Sequence, residues 1–201
     1  LPPNKNLNCQ YVRRGQNSVR AIFRIHRYMT QEYFDIVDKN NQPLGMTKSR
    51  EEVHRDMVDW HRVTGIWVID SKNRILCQKR SLKKDTNPSM WQSYIGGHLK
   101  AGETSEENAV AEAKEELGLD VKSLDLTPIC TRTSERMKHI SQIYVLRIDK
   151  AEKDFSFNDG EVEEVKWFSL EELEKEIAKG GFCNSIYPEI ADFIQQRLSV
   201  E

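Results

Sequence analysis

The segment from Gly97 to Leu119 constrains this chain more than any other stretch. Two glycines, Gly96 and Gly97, precede a run from Thr104 to Leu117 whose start and stop are both written into it. Thr104 is placed to cap a helix, Glu107 to complete a reciprocal capping box, and Gly118 to end it. Within that helix Glu112, Glu115 and Glu116 recur at i, i+3 and i+4, which puts three carboxylates on one face. Like charges so spaced repel, and a merely solvated face usually interleaves Lys or Arg. The pattern therefore points to a cation on this face, and hard carboxylate oxygens suit Mg²⁺ or Mn²⁺. The glycines at 96, 97 and 102 let the backbone turn tightly, so that a main-chain carbonyl can join the carboxylates. An acidic surface without any metal is the alternative the residues leave open.

Around that helix the pattern alternates between strands and helices. Tyr33–Val37 reads as a strand, 38–43 as a turn, and Leu44–Met46 as a returning strand. Ser49 and Glu52 form a first capping box and open a helix. Gly65–Asp70 and Arg74–Arg80 read as a hairpin turned by Ser71-Lys72-Asn73, followed by a loop through Trp91. Further strands are expected at Thr127–Thr133, Ile140–Ile148 and Val165–Phe168. Closing helices are expected at Leu170–Ala178 and Pro188–Leu198, the second with proline in a first turn. The expected class is α/β: a mixed sheet with helices packed on it, in one domain over 31–201. Residues 1–30 form a basic N-terminal extension, read as a short amphipathic helix or an arm.

The net charge of −2, from 30 basic and 32 acidic residues, argues against a broad nucleic-acid binder. No apolar run is long enough to span a bilayer, and Leu1-Pro2-Pro3-Asn4 has no apolar core like that of a signal peptide. Cys9, Cys77, Cys130 and Cys183 stand alone without CxxC spacing, which suits idle thiols in a reducing, cytoplasmic setting. A homodimer through residues 1–30 is the assembly considered.

The stretch Gly97-x5-Glu103-x7-Ala111-Glu112-Ala113-Lys114-Glu115-Glu116-Leu117-Gly118-Leu119 resembles the Nudix box. Every acidic and glycine position matches at the right spacing. One position departs: Ala111 stands where the family carries an arginine that pairs with the motif carboxylates. The resemblance implies an α/β/α sandwich with a mixed sheet. It also implies one to three Mg²⁺ (or Mn²⁺) held by Glu112, Glu115, Glu116 and the Gly97 carbonyl, and hydrolysis of a small-molecule diphosphate. The water that attacks phosphorus would be oriented or deprotonated by Glu112 or by a later glutamate. Of Glu161 and Glu164, Glu161 is favoured, because Asp159-Gly160 places it at a loop-to-strand boundary. Lys79 and Arg80 are candidate phosphate clamps and Trp91 a candidate stacking platform, with Glu103 of the box counted among the substrate-binding positions. Solvent exposure for Lys79 and Arg80, and core packing for Trp91 and Tyr94, are the ordinary alternatives.

From Tyr33 to Leu198 the layout is similar to one Nudix branch, that of isopentenyl-diphosphate isomerases and their hydrolase-like relatives. His54, His61 and His98 resemble the three metal-binding histidines of those isomerases. Two features count against isomerisation. Gly96 stands where those enzymes carry a catalytic cysteine, and Lys138-His139-Ile140-Ser141-Gln142 lacks their Glu-x-Glu pair. A catalytically weak nucleotide-binding module, motivated by Ala111, is the remaining alternative.

Overall fold

The computed structural model describes residues 31–84, 86–157 and 160–198. The expectations for residues 1–30, including dimerisation through them, lie outside the described residues.

The described chain opens with a hairpin and a short helix: β1 (Tyr33–Val37), β2 (Pro43–Ser49) and α1 (Arg50–Asp56). The two strands pair antiparallel, with Tyr33 opposite Ser49. Phe34, Ile36 and Val53 form their own small buried cluster. Ser49 caps α1 and the Glu52 carboxylate accepts the Ser49 amide at 2.9 Å, as the sequence predicts.

The main sheet is built around β3 (His61–Ile69) and β4 (Ile75–Arg80). On one side β3 runs parallel to β7 (His139–Arg147), which carries β6 (Leu126–Ser134) antiparallel at the edge. On the other side β4 pairs antiparallel with β8 (Val162–Phe168) and with the two-residue β5 (Trp91–Gln92). The sheet is thus mixed.

Period-2 alternation sorts the central residues between two faces. Ile66, Val68 and Leu76 join one core with Ala109, Ala113 and Leu117 of α2 (Ser105–Leu117). Trp67, Ile69, Ile75 and Cys77 join the other, with Leu173 of α3 (Leu170–Ala178) and Ile190 and Ile194 of α4 (Pro188–Leu198). Burying each such aliphatic side chain contributes roughly 1.5–3 kcal/mol. The result is the expected α/β/α sandwich with a mixed sheet. The start of α2 follows the sequence: Thr104 and Glu107 make both bonds of the capping box, and Gly118 ends the helix in the left-handed region at φ 63°.

Three elements differ from the sequence reading. β3 starts at His61, not Gly65, because the parallel ladder with β7 runs the whole way from His61 opposite His139. β2 extends to Ser49, and β5 stands where the sequence reads as a loop. Among the described residues no helix is long and apolar enough to cross a membrane. Cys77, Cys130 and Cys183 are free thiols.

Candidate active site

The box loop is sewn to β3, and this fixes its distance from α2. The Ile66 amide donates to the Ile95 carbonyl at 2.8 Å, the Thr64 amide to the Gly97 carbonyl at 2.9 Å, and the Leu99 amide to the Arg62 carbonyl at 3.0 Å. Gly96 sits at φ 148°, and any Cβ there would run into the Thr64 carbonyl oxygen. Any Cβ on Gly97 would occupy the place of the Glu112 carboxylate. Both glycines are therefore required sterically: one for the strand contact, the other for close approach of backbone and acid. The Gly97 carbonyl spends one acceptor site on Thr64, and a carbonyl oxygen has two. Asn108 closes the loop from the helix side, donating to the His98 carbonyl at 3.1 Å and to Glu103 at 3.2 Å.

Of the three helical acids, Glu116 is buried, Glu112 half-buried and Glu115 exposed. Burial, then the neighbouring Glu115 and Glu161, pushes the Glu112 carboxyl up to about 7. Burial, then Glu112, pushes Glu116 up to about 8. Two acids that hold protons near neutrality on one helix face form a site poised for a cation, which would displace those protons. Glu161 immediately precedes β8 and acts electrostatically on both acids, so the structure brings it into the cluster. Asp159 lies outside the described residues. Glu164 faces away, beside Trp91 and Lys166.

Each of the four substrate-binding candidates has partners of its own. Arg80 donates to the Thr86 carbonyl at 2.9 Å and to Gln92 at 2.7 Å, closing the loop between β4 and β5. Lys79 pairs with Glu163 at 3.5 Å. Trp91 packs edge-on against Phe168 and stacks on Phe182, so the core alternative applies to it. Tyr94 packs with Trp67 and Tyr187. Glu103 accepts the Lys100 amide at 2.9 Å and lines a cavity of ≈ 290 Å³ with Asn41, Arg62 and Gln142, which none of Glu112, Glu115 and Glu116 lines.

Two residues that sequence reasoning passed over do reach the acids. Lys84 pairs with Glu161 and opposes the negative charge of Glu112 and Glu116. Gln78 donates to Glu116 at 2.7 Å. The alternation of β4 held the signal for Gln78: it shares a face with Leu76, which packs under α2. No local pattern distinguishes Lys84 from Lys83.

A second cluster lies at the junction of α1, β3 and the box loop. His54, His61 and His98 offer ring nitrogens all within 4.8 Å of one another. His54 Nε2 and His98 Nε2 are 3.0 Å apart, and Phe34 stacks on both His61 and His98. Burial pushes His61 down to about 4 and His98 lower still, so both rings are neutral at pH 7. His61 Nε2 is buried with no hydrogen-bond partner. Neutral imidazoles with a free buried nitrogen fit a borderline transition metal such as Zn²⁺.

The sequence profile of the NUDIX domain matches residues 59–184. The chain is 30% identical over 189 residues to Nudix hydrolase 3 of Arabidopsis thaliana, covering 86% of this chain and 24% of that protein. It is 31% identical over 108 residues to an isopentenyl-diphosphate Delta-isomerase of Salmonella heidelberg, covering 54% of this chain and 58% of that enzyme. The chain thus spans less than two thirds of the length of either relative. A protein of Deinococcus radiodurans shares the fold at a TM-score of 0.66 and 24% identity, over 82% of this chain and 98% of that one. With the box geometry and the sandwich in place, the chain belongs to the Nudix hydrolase family.

Proposed function

We propose that this chain is a divalent-metal-dependent pyrophosphohydrolase that cleaves a diphosphate bond in a small nucleoside-linked or other organic diphosphate. The observation that carries this reading is the acidic pair of half-buried Glu112 and buried Glu116, raised to about 7 and about 8, with Gly97 backbone pressed against Glu112. Glu112, Glu115, Glu116 and the second acceptor site of the Gly97 carbonyl would hold Mg²⁺, or Mn²⁺ in its place. When bound, the metal neutralises diphosphate charge and acidifies a water. Glu161, beside the cluster and paired with Lys84, is the candidate base that orients or deprotonates that water. Lys84 replaces Lys79 and Arg80 as the candidate phosphate contact. A soluble, cytoplasmic protein working on small molecules, with residues 31–201 as the catalytic domain, fits this reading.

The isomerase reading has one observation in its favour, the histidine cluster. Two others weigh against it. No cysteine fits at position 96, because its Cβ would overlap the Thr64 carbonyl. The start of β7 carries His139, Ser141 and no acid. We propose that the three histidines hold a separate transition-metal ion.

The test is hydrolysis of a panel of organic diphosphates with Mg²⁺, read as formation of their monophosphate products and run beside Glu116→Gln. Mg²⁺-dependent turnover that collapses in the variant supports the hydrolase. Binding without turnover on the whole panel would instead make the chain a binding module, with Ala111 as its cause.

A further inference from the structure

Ala111 leaves the box without its usual internal donor, yet Glu116 is neither exposed nor unpartnered. Among the described residues its side-chain hydrogen bond comes from Gln78 Nε2, at 2.7 Å, across from β4. The same nitrogen donates to the Tyr94 carbonyl at 3.2 Å, three residues before Gly97. One primary amide therefore bridges both halves of the site, the acidic helix and the glycine loop. Its orientation is fixed by chemistry. Turned over, Oε1 would face the Tyr94 carbonyl, which can only accept, so both N–H groups must point inward. Oε1 is left buried with no partner. Buried amides seldom forgo their acceptor, and here both donors are kept on the two site elements at that expense.

Resting on the hydrolase reading above, we infer that Gln78 is the positioning residue for the metal site. Its amide holds Glu116 and the Gly97 loop in register, the task left open by Ala111. Gln78 touches neither substrate nor metal. It acts through Glu116, much as outer-shell partners orient metal ligands and, when removed, weaken binding about 10–100-fold.

The experiment titrates Mg²⁺ alone against thermal unfolding of the full chain. Mg²⁺ prefers oxygen ligands and so reports the acids, not the histidine cluster. Gln78→Met keeps the volume and removes both donors. The expected result is a rise of about tenfold in the Mg²⁺ concentration at half-maximal stabilisation. Gln92→Met, altering the cross-strand neighbour of Gln78 whose amide meets Arg80 instead, leaves that midpoint in place. A Gln78→Met midpoint within twofold of the unsubstituted chain overturns the inference, as does an equal shift in both variants. If Gln78→Met does not fold, Gln78→Asn, one methylene short of Glu116, is titrated with the same expected and overturning results. A chain that shows this Gln78 dependence but turns over no diphosphate sinks the hydrolase reading and leaves the positioning role intact. Absence of any Mg²⁺ stabilisation in the unsubstituted chain overturns both.

Discussion

The carboxylate of Glu112 occupies the place where a side chain on Gly97 would begin. The three atoms nearest to such a side chain are the far end of the flexible Glu112, so Gly97→Ala should fold. The methyl group must push Glu112 aside, however, and a shift of about 1 Å at the proposed ligand is enough to cost roughly 100-fold in rate. The expected outcome is a melting temperature within a few degrees of the parent and kcat/KM lower by about two orders of magnitude. Near-parental turnover in a folded Gly97→Ala would remove Glu112 from the site.

Glu116 is expected to make the metal-free protein less stable as pH rises. Its folded-state pKa of about 8 lies above the ordinary 4.5, so the folded form holds a proton the unfolded chain releases. Stability is therefore lost as pH rises from about 4.5 through about 8, by up to ~1.4 kcal/mol per pH unit. Glu116→Gln cannot ionise. Without metal it should melt higher than the parent, by a margin that grows between pH 5 and pH 8. Saturating Mg²⁺ should close the gap, because it stabilises the parent and not the variant. Calorimetry at several pH values with and without Mg²⁺ reads this directly, and a flat difference across pH would refute it.

The acidic side of the site was legible in the sequence because one helix carries it. Glu112, Glu115 and Glu116 follow from 3.6-residue periodicity, and Thr104, Glu107 and Gly118 mark the helix ends locally. The basic side was not legible. Lys79 and Arg80 lie close to the box along the chain, but the pairing of β4 with β8 and β5 directs them to Glu163, Gln92 and Thr86. Lys84 reaches the acids through a loop closure and a partner 77 residues away. Such contacts depend on tertiary path rather than on period. Gln78 lies between these cases: alternation along β4 gives its face, but only the fold supplies Glu116 opposite it.

Trp91 and Arg80 are accordingly expected to behave as structural residues. Trp91→Ala removes one ring of a cluster with Phe168 and Phe182 and should cost about 1–3 kcal/mol, the large-to-small range scaled to a half-buried site. Arg80→Ala frees the loop that delivers Lys84 and should raise KM through that loop. Trp91→Ala should lower the unfolding midpoint in urea while leaving KM within about twofold. A tenfold rise in KM for Trp91→Ala would restore it as a substrate contact.

The histidine cluster should bind its metal with little competition from protons. Burial holds His61 near 4 and His98 lower, so neither ring has a proton to lose between pH 6.5 and 8. An ordinary histidine site, with ring pKa values near 6.5, would weaken several-fold over the same interval. Zn²⁺ affinity measured by chelator competition is thus expected to stay within about threefold from pH 8 to pH 6.5, and to fall by about 100-fold or more in His61→Phe. The metal-free protein supplies the matching sign. Because the folded-state pKa of His61 is depressed, stability is present above about 6.5 and is lost as pH falls toward about 4. His61→Phe keeps a ring against Phe34 and His98 and removes that titration. Its melting temperature should decline less steeply than the parent's below pH 6.5. A parallel decline in both proteins would mean that His61 is not held neutral in the fold.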